Sequence, residues 1–332
     1  QPSAPVGKNR IINGNMAIDQ RNAGASVTPT AFSTYSLDRW RNRLTESSKY
    51  SVQQNAGSVT PPEGFTNYLG VTSLSSYSVL SRDFFTIEQA IEGLNFSHLN
   101  YGRANAKTLT FSFWVRSSLT GTFGASFRNN NSDYSYAFSY TISSANTWEK
   151  KTITISGATS GAWLTNNFTG LTVAFNLGIG STYTGTGDAW NTSEVLNPTG
   201  TTNLIATLGA TLYITGVQLE VGTEATPFEH RPYDMELERC KRYFRIGSFG
   251  ADWNSGLYSG GSIQYSMRSA PTVSNVTYDL NLNLDTSMGI NGVMFFGAGL
   301  GNRVEDYMGY QLTRAVEGRA YGWGYFYLNA EL

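Results

Sequence analysis

Hydrophobic and polar residues alternate with a period of two in many short segments of the chain. In KTLTFSFWVRSS (107–118), Leu109, Phe111 and Phe113 share one phase, and mostly polar residues take the other. Alternation of this kind is typical of a β-strand with one buried face. The same pattern predicts further strands in the segments 10–22, 122–142, 150–155, 171–177, 211–222, 276–284 and 320–332.

Two interruptions of the pattern predict local structure. The polar run RNNNSD (128–133) divides the segment 122–142 into two arms and predicts the turn of a β-hairpin. In TLYITGVQLEVG (211–222) the hydrophobic residues switch phase at Gly216, which predicts a β-bulge. Short antiparallel strands joined by turn-rich connections indicate a two-sheet sandwich of the jelly-roll type.

One segment has the period of a helix. In YDMELERCKRYFRIG (233–247), hydrophobic residues three and four positions apart would share a helical face: Leu237, Cys240 and Phe244. Asp234 is placed to cap the amino terminus, and Gly247 is placed to end the helix. Two prolines just upstream interrupt the preceding strand pattern. We therefore expect a short helix next to a domain boundary near residues 228–234.

The predicted fold class is all-β: a jelly-roll β-sandwich, then a short helical connector, then a smaller C-terminal β-domain. The predicted boundaries are 1–9 for a linker, 10–230 for the carbohydrate-binding-module-like jelly-roll domain, 231–247 for the helical connector and 248–332 for the C-terminal β-rich domain. The chain begins at Gln1 rather than Met, as in a chain trimmed from a longer one.

Composition agrees with an all-β fold and excludes some classes of partner. Charged residues make up 14% of the 332 residues, against roughly 25% in ordinary globular chains, and glycines and aromatic residues take their place. A formal net charge of −1 without a long basic run argues against binding to nucleic-acid backbone. No apolar stretch approaches the roughly 20 residues of a membrane span. We expect no nucleic-acid partner and no membrane insertion.

The sequence contains no recognisable catalytic or metal-binding motif. Cys240 is the one cysteine, and His98 and His230 are the two histidines, too few for an obvious metal site. Acidic residues are scattered through turns, without a spacing that would pair two of them for glycoside hydrolysis. GAGLGN (297–302) differs from a dinucleotide fingerprint and is interpreted as a turn. The prediction is a protein that is not an enzyme, with no catalytic residue, metal site or cofactor.

Aromatic residues outside the predicted core are the candidate ligand contacts. Trp114 lies on the polar phase of its strand near Arg116; an aromatic ring can cover the apolar face of a sugar while polar groups bond its hydroxyls. The alternative is that a loop or a neighbouring subunit covers this ring. Loops and the C-terminal block supply the other candidate glycan contacts: Trp163, Tyr183, Asp188, Trp190, Trp253, Tyr258 and Trp323. The loop aromatics could equally close the open ends of the core.

Two polar motifs are interpreted as structural. In SLDRW (36–40), Asp38 and Arg39 are expected to bond each other or nearby backbone groups, with Trp40 packed beneath. Asn13 and Gly14, within the first alternating segment, are expected to shape the backbone rather than to contact a ligand.

Several segments, in this order, resemble one family. They are NRIINGNMAIDQR (9–21), YSLDRW (35–40), TLTFSFWVRSS (108–118), TLYITGVQLEVGTEATPFEHRPYDMELERCKRYF (211–244) and the closing LNAEL. The order is similar to that in tailed-bacteriophage virion proteins, including tail fibres, tailspikes and other receptor-binding proteins. The jelly-roll domain of that family resembles carbohydrate-binding modules of the family 4/9 type. Such modules often hold a structural calcium, but YITGVQLE lacks the paired acid of that site.

The resemblance implies a structural or adhesive virion protein. We expect a tail fibre or receptor-binding component at the tail or tail tip, commonly a homotrimer, that contacts other virion proteins and a host cell-surface glycan. The alternative is a purely structural role, as a capsid decoration or head-fibre protein on the head surface. A third, less favoured reading is a polysaccharide depolymerase.

Overall fold

The computed structural model of the chain describes residues 7–253, 258–264, 272–279, 290–297, 307–314 and 320–331. For the strands between residues 247 and 328, the description covers the backbone. The chain divides into two compact units, Gln1–Leu237 and Glu238–Glu331.

Strands of the first unit coincide with most of the alternating segments. They are β1 Ser33–Leu37, β2 Trp40–Leu44, β3 Tyr50–Gln54, β4 Leu69–Ser73, β5 Phe84–Glu92, β6 Leu109–Ser117, β7 Gly121–Arg128, β8 Ser135–Ile142, β9 Glu149–Ile155, β10 Thr169–Ile179, β11 Thr184–Gly185, β12 Ala189–Asn191, β13 Asn197–Pro198 and β14 Thr211–Val221. Short 3₁₀ helices lie at Ala56–Ser58, Gly93–Asn95, Ser97–Leu99, Ser181–Tyr183 and Leu204–Ala206. β7 and β8 pair antiparallel, so the predicted hairpin is confirmed.

The strands of the first unit form two main antiparallel sheets. The seven-stranded sheet has the order β1-β2-β5-β10-β7-β8-β12, and the five-stranded sheet has the order β3-β4-β14-β6-β9. Consecutive strands repeatedly change sheets, as at β2 to β3, β4 to β5 and β5 to β6. The first unit is therefore a jelly-roll β-sandwich, as the sequence predicts.

The core lies between these two sheets and consists of the alternating hydrophobic residues. Phe111 of β6 packs against Phe127 of β7 and Phe175 of β10, with ring centroids 5.3 and 5.7 Å apart. Leu109 and Val115, on the same phase of β6, are at most 1% exposed. Each fully buried side chain of this size contributes roughly 1.5–3 kcal/mol of transfer free energy. The phase predicted for β6 is confirmed.

The predicted bulge is also present. The pairing of β14 with β6 shifts register between Thr215 and Gln218. Gly216, inside this shift, has a φ of +60°, which is strained for any residue with a Cβ. The bulge explains why the buried phase changes along β14: Leu212 and Leu219 are both fully buried although they are an odd number of residues apart.

The segment 10–22 is not a strand, so this prediction was wrong. Its backbone turns at Asn13, whose φ is 56°. The Asn13 side chain holds the turn, because its Nδ2 donates to Ile18 O at 2.8 Å and its Oδ1 accepts from Ile18 N at 2.9 Å. A Cβ on Gly14 would lie 2.2 Å from Val217 O, so a larger residue would clash with the backbone. The backbone-shaping role expected of Asn13 and Gly14 is confirmed.

The SLDRW motif fastens this turn to the sandwich. Asp38 accepts hydrogen bonds from the backbone and side-chain nitrogens of Gln20, at 2.6 and 2.7 Å. The Trp40 ring is fully buried, and its Nε1 donates to Asn13 O at 3.0 Å. Arg39 donates to a backbone carbonyl of β5. The structural interpretation of this motif is confirmed.

The beginning of the first unit is bonded to residues near its end. Arg231, whose side chain is 3% exposed, pairs with Glu236 at 3.1 Å and with Glu229 at 3.4 Å. The Asn9 amide donates to Glu229 Oε2 at 2.7 Å, and Asn9 is itself buried. These ionic groups therefore hold the N-terminal segment in place by hydrogen bonds to its backbone.

The predicted helix exists but is shorter than expected. Helix α1 spans Tyr233–Lys241, and Cys240 within it is fully buried. Asp234 lies in its first turn rather than before it. Gly247 does not end the helix; it lies within the strand β15, Phe244–Trp253. The pairing of β15 with another strand overrides the helical pattern of these residues.

The second unit is β-rich, as predicted. Its further strands are β16 Tyr258–Gln264, β17 Thr272–Asp279, β18 Ile290–Gly297, β19 Tyr307–Arg314 and β20 Ala320–Asn329. They form two three-stranded antiparallel sheets, with the orders β15-β20-β17 and β16-β19-β18. The predicted strand 276–284 corresponds to β17 as far as residue 279, and its remainder lies outside the described residues.

Candidate functional site

The outward face of the seven-stranded sheet is covered by the chain itself. On β10, Asn176 alternates with the core residues, and its Nδ2 donates to Leu196 O at 2.6 Å and to Asn197 Oδ1 at 2.9 Å. On β8, Ser135 Oγ donates to Ser193 O at 2.6 Å. A Cβ on Gly124 of β7 would lie only 1.6 Å from Asn197 Oδ1. The 193–197 segment therefore lies directly on this part of the sheet and leaves no room there for a ligand.

A buried ion cluster occupies the adjoining part of the same face. The Glu88 carboxylate is fully buried and accepts from Arg128 at 2.7 Å and from Arg41 at 2.9 Å. Burial opposes the ionisation of Glu88, but the two guanidinium groups outweigh it and lower the pKa of Glu88 to about 2. Arg43 extends the cluster to Glu194, 3.4 Å away. Three arginines and two glutamates are thus paired with one another within the fold.

A cavity of about 440 Å³ lies beside this sheet, where two loops meet. One side comes from residues 96–103, which include the 3₁₀ helix after β5, and the other from residues 161–165, just before β10. The lining residues are Phe96, Ser97, Asn100, Tyr101, Gly102, Arg103, Gly161, Trp163 and Thr165. We call this the Trp163 cavity.

Local hydrogen bonds and glycines fix the two loops against each other. The Gly102 amide donates to Ala158 O at 2.8 Å, and the Arg103 amide donates to Asn100 O at 3.1 Å. Gly102 has a φ of +81°, and a Cβ there would lie 2.7 Å from Gly161 O. A glycine is thus required at position 102 both by the backbone conformation and by the close approach of the second loop.

The Trp163 ring is held in a cluster of aromatic rings. Its centroid lies 5.0 Å from Tyr101, 5.5 Å from Trp190 and 5.7 Å from Phe96. The indole Nε1 groups of Trp163 and Trp190 donate to the backbone carbonyls of residues 160 and 156, at 2.9 and 2.8 Å. Because packing and hydrogen bonds both restrain the half-buried Trp163 ring, it lines the cavity in a fixed orientation.

Polar groups complete the lining of the Trp163 cavity. Ser97, Arg103 and Thr165 are exposed, and Asn100 is half-buried. The Tyr101 hydroxyl is buried and has no hydrogen-bond partner among the described residues. No aspartate or glutamate is among the residues that line this cavity in the described part of the chain. The cavity thus offers an aromatic ring, uncharged hydrogen-bonding groups and one guanidinium.

The structure brings some of the predicted site residues together. Trp163 and Trp190 belong to the same ring cluster, and Trp190 also contacts Tyr136 at 5.2 Å. Asp188 is exposed; burial raises the pKa of Tyr136, and the Asp188 charge raises it further. Tyr183 packs in a different hydrophobic cluster, against Phe84.

Trp114 and Arg116 lie on the five-stranded sheet instead. A Cβ on Gly216 would approach both the Phe65 ring, at 2.6 Å, and Trp114 Cδ1, at 3.0 Å, so Phe65 lies beside the half-buried Trp114. Arg116 donates to Asn146 O at 3.0 Å. One alternative for Trp114 was that a loop covers its ring. Phe65 provides part of that cover.

The remaining candidates lie in the second unit, where the description covers the backbone of the strands. Trp253 is the last residue of β15, Tyr258 is the first residue of β16, and Trp323 lies in β20 opposite Gly250. Their side chains lie outside the description, and their candidate role stays a prediction.

Sequence reasoning missed the polar side of the Trp163 cavity. Asn100 and Arg103 lie about sixty residues before Trp163 in the chain, in LNYGR (99–103). An asparagine and a glycine here signal a turn, and an arginine within a turn beside an aromatic residue is a recognisable candidate contact. Only the fold shows that this turn faces the loop of Trp163.

The described residues contain neither a metal-binding cluster nor a membrane-spanning helix. Over the described ranges, no group of three or more histidine, cysteine, aspartate or glutamate side chains is arranged to hold a metal ion. The helices in that part of the chain include none that is long and apolar enough to cross a membrane.

Comparison with known proteins identifies similar folds rather than a family. No protein-family model matches the sequence, and no curated protein matches it. Among solved structures, the enzymatically active domain of bacteriophage CBA120 tailspike protein 4 is 12% identical and has a TM-score of 0.36. That match covers 65% of this chain and 22% of the tailspike chain, so it spans about a fifth of the latter.

Sugar-binding proteins are also among the similar structures. A putative sugar-binding protein from Bacteroides thetaiotaomicron is 12% identical, with a TM-score of 0.36, and the match covers 64% of this chain and all of that one. The N-terminal cellulose-binding domain of Cellulomonas fimi β-1,4-glucanase C is 13% identical, with a TM-score of 0.29 and coverage of 60% and 100%. Since these TM-scores are below 0.5, we draw functional conclusions from this chain alone.

Proposed function

We propose that the chain is a non-enzymatic, glycan-binding component of a bacteriophage virion and that the Trp163 cavity is its binding site. The observation that carries this proposal is the fixed Trp163 ring lining a cavity that also contains Ser97, Asn100 and Thr165. An aromatic face packs against the C–H groups of a sugar ring, and neighbouring polar groups bond its hydroxyls. A ring that is already restrained loses little entropy when a ligand binds.

The same cavity supports binding better than hydrolysis. Glycoside hydrolysis commonly requires two carboxyl groups roughly 5–10 Å apart, one of them protonated at working pH. No carboxylate lines the Trp163 cavity in the described residues. Glu88, on the neighbouring sheet face, is buried between arginines that keep it ionised. A polysaccharide depolymerase is therefore the less supported alternative.

The virion role is supported by the resemblance of the sequence segments, above all GVQLEVG (216–222) and the residues that follow it. Within that role we favour a tail fibre or receptor-binding component, with a host cell-surface glycan and other virion proteins as partners. Immunogold labelling of intact particles tests the location. Label on the tail or tail tip supports this assignment, and label confined to the head supports the capsid-decoration alternative.

The glycan site is tested by replacing the Trp163 side chain. We expect Trp163→Ala to weaken binding to cells or their purified polysaccharide at least tenfold, which corresponds to about 1.4 kcal/mol. Because Trp163 also packs against the core, Trp163→Phe is needed as a second variant that retains a ring and most of the packing. Trp148→Ala is the matched control, since Trp148 is a half-buried tryptophan that packs against Tyr68 and Tyr213.

Binding is measured by affinity electrophoresis and calorimetry, with the far-UV spectrum and the melting temperature as controls for folding. The proposal holds if Trp163→Phe retains binding and Trp163→Ala loses it while both remain folded. Equal losses in Trp163→Ala and Trp148→Ala would contradict the assignment of this cavity. Failure of the unmodified protein to bind any cell or polysaccharide would contradict the adhesive function.

A further inference from the structure

We propose that the Trp163 cavity selects acidic glycans, with the carboxylate of a uronic acid or similar sugar bound by Arg103. This inference rests on the proposed function and adds the chemical class of the ligand. It follows from the placement of one guanidinium in the cavity and from the charges around it.

Arg103 is available to a ligand. Its side chain is exposed and lines the same cavity as the Trp163 ring. Its backbone is fixed, because its amide donates to Asn100 O and its carbonyl accepts from the Ala106 amide at 3.0 Å. Among the described residues, the guanidinium of Arg103 has no ion-pair or hydrogen-bond partner. This differs from Arg41 and Arg128, whose guanidinium groups bond Glu88 inside the fold.

The surroundings of the cavity add positive charge. Lys107 is exposed, and its amide donates to Leu99 O, which attaches it to the 3₁₀ helix at the cavity. Burial lowers the pKa of His98, and the positive charges of Arg10 and Lys107 lower it further. Two basic side chains, Arg10 and Lys107, thus lie near this loop.

One acid near the second loop, Asp133, is already engaged. Asn129 Nδ2 donates to Asp133 Oδ1 at 2.5 Å and to the carbonyl of residue 162 at 3.1 Å, so Asp133 is joined to the second loop through Asn129. Asp133 does not line the cavity. A ligand carboxylate at Arg103 would therefore not meet a carboxylate in the cavity wall.

The Trp163 ring and the Arg103 guanidinium suit two different parts of one acidic sugar. A guanidinium presents parallel N–H donors that match the two oxygens of a carboxylate, whereas a lysine ammonium acts as a point charge. A pyranose that packs on Trp163 presents its ring substituents at the edge of that ring, and Arg103 lies in the same cavity. A uronate can use both contacts at once, but its neutral counterpart can use only the aromatic one.

The test compares acidic polysaccharides with their own neutral forms. The probes are polygalacturonate, alginate and hyaluronate, each paired with its carboxyl-reduced derivative, at one fixed ionic strength. We expect the unmodified protein to bind at least one acidic form at least tenfold more tightly than its neutral partner. Arg103→Gln should lower binding to that acidic form about tenfold and should weaken binding to the neutral form much less, so that the preference for the acidic form falls. Lys107→Gln, which removes one exposed charge from the same loop, should change neither by more than about twofold.

The outcomes separate this inference from the proposed function. If the protein binds neutral forms as well as acidic ones, and Trp163→Ala abolishes both, the glycan site stands and the acidic preference is wrong. If Arg103→Gln and Lys107→Gln weaken acidic binding equally, the attraction is a general effect of charge and the role of Arg103 is wrong. If the protein binds host cells or their purified polysaccharide but no acidic form, the acidic preference is wrong and the glycan site stands. If it binds neither cells nor any polysaccharide, both proposals fail.

Discussion

At the scale of single residues, Glu88 has the most constrained chemistry in the described part of the chain. It is fully buried, and its carboxylate is bonded by Arg41, Arg128 and the hydroxyl of Thr86, the last at 2.7 Å. Removing one member of a buried ionic group leaves the other charges unpaired and typically costs 3–5 kcal/mol. The cluster therefore stabilises this fold only while all its members are present.

We expect Glu88→Gln to lower the free energy of unfolding by about 3 kcal/mol at pH 7. The folded-state pKa of Glu88 is about 2, below the ordinary value of 4.5. Ionised Glu88 therefore stabilises the fold at pH values above 4.5, by about 3 kcal/mol at most. This contribution is lost as the pH falls from about 4.5 towards 2. The difference between the two proteins should therefore shrink in acid. Urea unfolding at pH 7 and at pH 3 measures it.

Glu63→Gln is the matched control for this prediction, because Glu63 is exposed. It should change the free energy of unfolding by no more than about 0.5 kcal/mol at either pH. An effect of Glu88→Gln that is as small as that of Glu63→Gln at pH 7 would contradict the account of the cluster. The account would also be contradicted if the difference in free energy of unfolding between Glu88→Gln and the unmodified protein were larger at pH 3 than at pH 7.

Sequence reasoning succeeded for residues whose role is local. Asn13 and Gly14 were predicted to shape the backbone, and the asparagine side chain does so by bonding a residue only five positions away. The importance of Glu88 was not predictable, since its partners Arg41 and Arg128 come from strands far away in the chain. A charged residue in an alternating segment looks like a solvent-facing position until the fold brings other strands beside it.

At the scale of elements, the bulge in β14 is the feature with the clearest sequence signal. The change of phase at Gly216 predicts it, and the positive φ at that residue confirms it. Gly216 is also close to the rings of Phe65 and Trp114, which leave little room for a side chain. The bulge thus combines a backbone requirement with a packing requirement.

We expect Gly216→Ala to destabilise the protein by about 2–4 kcal/mol. The left-handed conformation costs a residue with a Cβ roughly 1–2 kcal/mol, and displacement of the Phe65 ring adds a packing cost. Gly209→Ala is the matched control, because Gly209 has a φ of +76° but nothing within 4 Å of its Cβ position. It should show the backbone cost alone. Equal losses of stability in chemical unfolding would show that Phe65 and Trp114 do not restrict position 216.

Strands were predictable where the backbone of an alternating segment pairs with other strands. The alternation of 107–118 became β6 because its backbone pairs with strands on both sides. The alternation of 10–22 is equally regular, but side chains satisfy its backbone instead: Gln89 accepts from the Ile12 amide at 2.8 Å and donates to its carbonyl at 2.7 Å. A period of two therefore does not distinguish a strand from an extended segment bonded by side chains.

The candidate site shows the same limit. Trp163 and Trp190 could be found, because tryptophans in a polar, loop-rich segment are conspicuous in the sequence. Asn100 and Arg103 could not be assigned to the same site, since their loop comes close to that of Trp163 only through the contact of Gly102 with residue 161. The aromatic half of the cavity was thus predictable, and the half to which we attribute charge selectivity was not.

At the scale of the whole molecule, the chain combines two units of different construction. The first unit has a large core between two sheets, which includes the fully buried Phe111, Phe113 and Phe175. The described residues of the second unit form two sheets of three strands each. Small sheets have few inner strands, and small β-units often complete their cores between subunits. If the homotrimer implied by the resemblance forms, the second unit is the expected place of contact.

We therefore expect the full chain to be a trimer and a chain that ends after Lys241 to be a monomer. The shorter chain keeps the core of the first unit, helix α1 and the pairing of Arg231 with Glu236, so it should remain folded and bind the same glycans. Light scattering coupled to size exclusion measures the two masses, and the far-UV spectrum reports folding. A full chain with the mass of one polypeptide would contradict the trimer. A shorter chain that is still trimeric would place the contact in the first unit, because the trimer would then need no strand of the second.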